Sequence, residues 1–282
     1  MSSYNDIERM KFNPVEQISI QKVNVQNIVD AKDKVVIEEP LQIELEYSTA
    51  TGRLRKEIAV TMRTPGNDDE LSAGFLFTEG IINELSIREI KQTEENRVLV
   101  ILRENYLPAL NNSSRNFYTT SSCGICGKAS IESIRTNSVF ENLNDDMLIS
   151  TDIIYQLQKN IEKNQLIFNE TGGIHASVLF DLKGKIITLK EDVGRHNALD
   201  KVIGALLMCG SLPLNNHILF LSGRAGFELV QKATMAGIRF IAAVGAPSSL
   251  AVELAKESGI TLIGFLRNDR FNIYSGKHRI TL

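Results

Sequence analysis

His217-Ile-Leu-Phe-Leu221, followed by Ser222-Gly-Arg-Ala-Gly226 and then a helical segment, is the stretch whose reading decides the fold. A short apolar run that ends at a glycine turn is the pattern of a buried strand. The pattern returns at Phe240–Val244, which meets Gly245-Ala-Pro-Ser-Ser249, and again at Thr261–Phe265. Each strand is joined to the next by a helical segment. Such alternation predicts an α/β fold with a mixed, mostly parallel sheet and right-handed crossovers. Ligands on such sheets collect outside the carboxyl ends of the strands, where these turns lie.

Upstream, Asp192-Val-Gly-Arg-His-Asn-Ala198 opens a helix running to about Cys209, and Ile174 to Leu189 reads as a hairpin turning at Lys183-Gly-Lys185. Ser150-Thr-Asp152 begins an amphipathic helix reaching about Lys163. The first part of the chain reads differently. Gln17–Val25, Leu41–Tyr47 and Glu57–Met62 alternate apolar and polar residues, the period of half-buried strands, with a hairpin turn at Ala50-Thr-Gly-Arg53. Arg97–Arg103 is a further strand. Met62-Arg-Thr-Pro-Gly66 leads into a short, apolar and therefore buried helix, Leu71–Thr78. The polar loop Leu110–Asn116 divides a strand-rich N-terminal region, 1–116, from an α/β region, 117–282.

The bulk properties exclude several classes. The chain has 282 residues with 31 basic against 34 acidic side chains, net −3, so charge exerts no general pull toward nucleic acid. No apolar run approaches the roughly 20 residues that span a bilayer. The first residues lack the basic-then-apolar pattern of a secretory signal, so no membrane partner and no export are expected. Three cysteines do not form a disulfide framework, which fits a reducing compartment. One of them, Cys209, lies in an apolar run and reads as a buried structural thiol.

The other two stand together in Tyr118-Thr-Thr-Ser-Ser-Cys123-Gly-Ile-Cys126-Gly-Lys128. The thiolate is the nucleophile and the metal ligand, and a nearby cation or a helix start lowers its pKa. Lys128 and the helix-like Ala129–Arg135 supply both. The pair therefore reads as sulfur chemistry or metal binding on a small-residue loop. A closed structural zinc site needs four ligands. There is no second cysteine pair, and His175, His196, His217 and His278 are scattered, so no stoichiometric metal is expected.

Four further features carry polar chemistry. The glycine turns with Arg224 offer backbone N–H groups at helix starts, and Ser248 or Ser249 can cap a helix or meet a phosphate. Glu191-Asp-Val-Gly-Arg-His-Asn-Ala-Leu-Asp-Lys201 concentrates carboxylates with Arg195, His196 and Asn197, a composition that a solvated helix start does not account for. Thr171-Gly-Gly-Ile-His175 adds a second histidine, which alone reads as structural. Last, Phe265-Leu266-Arg267-Asn268-Asp269-Arg270 follows the final parallel strand; Phe265 offers a flat face to a base, and Arg267 and Arg270 suit phosphates or carboxylates.

Taken together, Ser121–Gly127, Thr171–Ala176, Glu191–Lys201, Ser222–Glu228, Gly245–Ser249 and Gly264–Arg267, with Glu38–Leu41 and Arg63–Gly66, resemble the FdhD/NarQ family over nearly the whole chain. The resemblance implies a cytoplasmic, homodimeric sulfur carrier with a cytidine-deaminase-like three-layer core, required for formate dehydrogenase activity. It implies a sulfurtransferase that accepts sulfur from a cysteine desulfurase as a persulfide on Cys123. That sulfur passes to the molybdenum bis(molybdopterin guanine dinucleotide) cofactor before the cofactor enters the dehydrogenase. The nucleotide contacts then fall on Phe265–Arg270. The residues alone do not say which of Cys123 and Cys126 carries the sulfur.

Two other classes compete. A zinc nucleobase deaminase needs H-x-E and P-C-x-x-C. Here Ser122 precedes Cys123, and His175 is followed by Ala176-Ser177 without the proton-transferring Glu. A chaperone that only holds the cofactor would need the glycine turns and Phe265–Arg270 but not Cys123.

Overall fold

The computed structural model describes residues 13–110, 117–118, 140 and 146–282. Cys123, Cys126, Lys128 and the helix-like stretch after them lie outside the described residues.

Two sheets enclose a pair of helices. The N-terminal sheet has the order β5-β6-β3-β4-β7. Its strands are β3 (Glu39–Thr49), β4 (Gly52–Arg63), β5 (Ile87–Glu94), β6 (Arg97–Leu102) and β7 (Phe117–Tyr118). The larger sheet runs β10-β9-β11-β12-β13-β14. It comprises β9 (His175–Phe180), β10 (Ile186–Asp192), β11 (Ile218–Leu221), β12 (Phe240–Ala243), β13 (Thr261–Gly264) and β14 (Asn272–Ser275). The strands β11, β12 and β13 are parallel neighbours, and antiparallel strands flank them on both sides. A separate ribbon pairs β1 (Val15–Val23) with β2 (Ile28–Val36), and the short β8 (Ile149–Ser150) pairs with β15 (Ile280–Thr281). Neither β2 nor β5 is called as a strand from the sequence. Charged residues fill four of the nine positions of β2 and four of the eight of β5, and their pairing partners rather than an apolar face define them.

Period-2 alternation in the larger sheet sends its side chains into two cores. Leu219, Leu221, Ile241, Ala243 and Leu262 join one cluster, which the helices α1 (Asp68–Thr78), α4 (Arg195–Met208), α5 (Phe227–Met235) and α6 (Ser249–Glu257) complete. Ile218, Phe220, Phe240, Ala242 and Ile263 face the other way, onto Ile154, Leu157 and Ile161 of α2 (Thr151–Glu162). The first cluster continues through Leu41, Ile43, Leu45, Val98 and Val100 of the N-terminal sheet. One apolar core therefore runs through both halves of the chain. Helix α1 is buried on almost every side, its acidic first turn largely included, because it lies between the two sheets.

Local chemistry sets the ends of these elements. The Ser150 hydroxyl accepts from the Ile153 N–H to cap α2, and Ser248 does the same for Ala251 at α6. Arg63, buried at the end of β4, donates to both carboxylate oxygens of Asp68 at 3.0 and 2.8 Å and to the Asn96 side-chain carbonyl at 2.9 Å, tying the sheet to the start of α1. Cys209 departs from expectation. It is exposed, at the C-cap of α4, because the helix outruns the core in its last turn and Gly210 then turns the chain at φ 65°.

Candidate functional site

The carboxyl ends of β11, β12 and β13 meet at one edge of the larger sheet. Backbone bonds lace the three turns that follow them. The Gly245 N–H donates to Gly223 O at 2.9 Å, Ser248 N–H to Ala225 O at 3.1 Å, and Phe265 N–H to Gly245 O at 3.2 Å. Two glycines make this approach possible. A Cβ on Gly245 would lie 2.9 Å from the Arg224 backbone, and one on Gly264 would lie 3.0 Å from the Pro247 ring. Arg224 is exposed beside this lattice.

Phe265 is held in an unusual position. The next residue, Leu266, also donates to the neighbouring strand, at Ala243 O, and its side chain is fully buried. Two successive N–H groups bonded to the same side break the strand's alternation, with the Leu266 side chain inward and that of Phe265 outward. Phe265 takes φ 53° and is 44% exposed. A bulky residue in the left-handed region is strained, and such strain persists where the surroundings impose it. Arg267 staples the turn by donating from Nη1 to the carbonyls of Val244 at 2.9 Å and Leu266 at 2.7 Å, and its N–H bonds Arg270 O. Asn268, Asp269 and Arg270 are exposed beyond it. The edge thus combines an exposed ring, exposed guanidinium groups and glycine-lined backbone.

The polar segment 191–201 divides into two parts. Most of it is structural. Glu191 accepts from the Ile167 and Phe168 N–H groups and so holds α3 (Leu166–Thr171) against β10. Burial raises its pKa against those bonds. Asp192, fully buried, accepts from Thr64 and Gly194 N–H, from Asn197 Nδ2 and from Lys201 Nζ at 2.7 Å. Asn197 also donates to Met62 O and Lys201 to Thr64 O, so this network locks the end of β4 onto α4. Asp200 turns inward too. It meets Lys232 at 2.9 Å and the Thr78 hydroxyl at 2.8 Å, joining α4, α5 and α1. Burial disfavours charge on Lys232, but Asp200 and Glu79 outweigh it and raise its pKa.

Arg195 and His196 remain for other work. The Arg195 Nε and His196 Nε2 atoms are buried with no hydrogen-bond partner among the described residues. His196 is 8% exposed and lies 3.7 Å from the Glu228 carboxylate at the start of α5, too far for a tight hydrogen bond. His196 is nevertheless the main influence on Glu228, holding its carboxyl down to about 2 while burial pushes the other way. His175 stands next to this pair, with its ring 3.3 Å from where a Gly223 Cβ would be. Burial first, then Arg195 and His196, lower its pKa, so it is neutral at pH 7.

On the α2 side of the same edge lies a cavity of about 490 Å³, lined by Gln158, Phe168, His175, Phe220, Ser222 and Val244 among others. The sequence does carry a signal for it. Gln158 interrupts the apolar stripe Ile154, Leu157, Ile161, and Phe168 lies on the short α3. Without the packing of α2 and α3 against the sheet, that signal has no destination. Glu228 belongs to the same group of residues that pattern alone does not mark out. Among the described residues no three His, Cys, Asp or Glu side chains gather to hold a metal ion, and no helix is long and apolar enough to cross a membrane.

Fold and site together define a mixed α/β protein whose larger sheet ends in an exposed, arginine-bearing carboxyl edge. The chain belongs to the FdhD/NarQ family, whose pattern matches residues 36–281. It is 44% identical over 262 residues to the sulfur carrier protein FdhD of Streptomyces avermitilis, covering 89% of this chain and 90% of the relative. The sulfur carrier protein FdhD of Sulfolobus acidocaldarius is 42% identical over 269 residues, covering 95% and 99%. A crystal structure from Desulfotalea psychrophila, of a protein assigned as a formate dehydrogenase accessory protein, superposes with a TM-score of 0.73. It is 26% identical and covers 95% of this chain and all of that one.

Proposed function

We propose that this protein is a sulfur carrier serving formate dehydrogenase, with Cys123 as the carrying atom. The observation that carries the reading is the Cys123-Gly-Ile-Cys126 pair in a chain that matches named sulfur carriers along nearly its full length. The Cys123 thiolate attacks the outer sulfur of a cysteine desulfurase persulfide. The new S–S bond forms on Cys123 as the old one breaks, and the desulfurase cysteine leaves as its thiolate, so no external oxidant or reductant enters. Cys126 then resolves or relays the sulfane sulfur.

The acceptor is the molybdenum bis(molybdopterin guanine dinucleotide) cofactor, a substrate here rather than a resident group. The carboxyl edge suits its guanine nucleotide arm. Phe265 presents a flat ring, and Arg224, Arg267 and Arg270 present positive charge. The protein acts in the cytoplasm as a homodimer, between the desulfurase and the dehydrogenase. Incubation with a desulfurase and cysteine, followed by intact mass spectrometry, tests the central step. The expected product gains one sulfur atom, lost on reduction and absent in Cys123→Ala. Equal sulfur loading of Cys123→Ala and the parent chain refutes the assignment.

A further inference from the structure

The ribbon of β1 and β2 stands apart from both large sheets. A two-stranded hairpin alone is at best marginally stable in water, so it gains from a partner on any open face. Its register sorts the side chains, because residues paired across an antiparallel ladder point to the same side and the sides alternate along the strand. One face carries Lys34, which bonds Glu170 of α3 at 2.7 Å, and Val36, which lies 3.7 Å from where a Gly173 Cβ would be. That face leans on α3. The opposite face carries Ile18, Ile20, Val29, Ala31 and Val35 as one apolar stripe. Ile18 and Val29 are 36% and 47% exposed, so the stripe stays open to solvent among the described residues. Charge on the open face follows a pattern. Glu16 lies near the base of β1 and Lys22 near the turn, with Ile18 and Ile20 between them on the same side. Neither Glu16 nor Lys22 makes an ion pair among the described residues. Reversing the strand direction therefore lays opposite charges on each other and isoleucine on isoleucine.

We infer that the open face of the ribbon is a contact between two copies of this chain, with β1 of one copy lying antiparallel across β1 of its partner. The inference places a surface for the proposed homodimer and rests on that part of the proposed function. A two-fold contact must be self-complementary. An axis across the strands meets this condition. It sets Glu16 over the partner's Lys22, Ile18 over the partner's Ile20 and Val35 over the partner's Val29. Asp33 falls opposite the small Ala31, one row from the partner's Lys22. An axis along the strands fails the same condition, since it opposes Glu16 to Val35 and Lys22 to Val29 and leaves both charges unpaired. A two-stranded face with nine residues per strand offers on the order of 300 Å² per copy, against about 800 Å² for a standard interface. The ribbon is therefore one part of the dimer surface, and its disruption weakens association rather than abolishing it.

Analytical ultracentrifugation of the full chain over a range of concentrations is the test. The parent is expected to dimerise. Glu16→Lys or Lys22→Glu alone is expected to weaken that association roughly ten-fold or more at low salt, since each turns two symmetric attractions into repulsions. High salt is expected to shrink the loss. An equimolar mixture of the two variants is expected to recover the parent's affinity, because every charged contact in the hybrid again joins opposite signs. Within one copy the two residues lie about 20 Å apart along the strand, too far to pair, so recovery reports a contact between copies. Single variants that dimerise like the parent overturn the inference and leave the homodimer standing on another surface. Weakened variants whose mixture does not recover also overturn it, since the loss then comes from the fold of the ribbon. A parent that is monomeric at every concentration removes the homodimer reading and the inference with it. Sulfur loading of Cys123 is measured separately and stands or falls alone.

Discussion

Gly74 of α1 and Gly204 of α4 face each other where the two helices cross, and a Cβ placed on Gly204 would lie 2.8 Å from the Gly74 nitrogen and inside the carbonyl of Glu70. A Cβ on Gly74 would likewise collide with the carbonyl of Asp200. The backbones touch directly. This contact sets the height of the layer between the two sheets, and it brings Asp200 of α4 next to Thr78 of α1.

Alanine at Gly204 is therefore expected to destabilise the protein. In a free helix Gly→Ala is favourable by about 1 kcal/mol. Here the methyl group has no space, and overpacking costs about 3 kcal/mol or more. Urea unfolding measures it. A variant as stable as the parent would mean that the crossing is looser than described.

The Asp200–Lys232 pair is fully enclosed, at 1% and 5% side-chain exposure. Removing the Asp200 charge leaves Lys232 buried with only the Glu79 carboxylate, at 3.3 Å, to balance it. Asp200→Asn is expected to cost about 3 kcal/mol, and adding Lys232→Met to recover a large part of that. Thermal unfolding of the single and double variants decides it. Equal losses in both would show that the pair contributes through packing rather than charge.

Glu228 gives an acid-dependent stability. Its folded pKa, about 2, lies below the ordinary 4.5 because of His196. The sign follows from linkage. The contribution is complete above about pH 4.5 and is lost as pH falls toward 2, since the unfolded chain binds the proton first. The stability difference between the parent and Glu228→Gln is expected to shrink over that window. A difference independent of pH from 2 to 5 would contradict the pairing.

Phe265 separates binding from stability. Its left-handed backbone suits glycine, so Phe265→Gly is expected to leave the protein as stable as the parent, or up to ~1 kcal/mol more stable, after the added chain entropy of glycine. The same variant removes the exposed ring and is expected to weaken GDP binding roughly ten-fold or more. Calorimetry and denaturation on one preparation report both. Undiminished GDP affinity would show that the ring does not contact the nucleotide.

Much of this protein is legible in the linear chain. The apolar runs at 217–221, 240–244 and 261–265 with their glycine turns determine the parallel centre of the sheet, because burial on both faces and helical crossovers leave a local pattern. The same segments place Phe265 and Arg267 at the carboxyl edge. The highly charged β2 and β5 are hidden, since only their partners make them strands. Segment 191–201 shows why polarity alone does not mark a site. Its composition is rich in chemistry, but whether a side chain faces a ligand or a buried partner depends on elements more than a hundred residues away. Thr64 and Met62 claim Asp192, Asn197 and Lys201, whereas Arg195 Nε and His196 Nε2 make no hydrogen bond among the described residues, and His196 faces Glu228 instead. The cavity at Gln158 is likewise a product of tertiary structure. It exists because α2 and α3 pack across the carboxyl ends of strands that follow them in the chain, and no local pattern encodes the space between them.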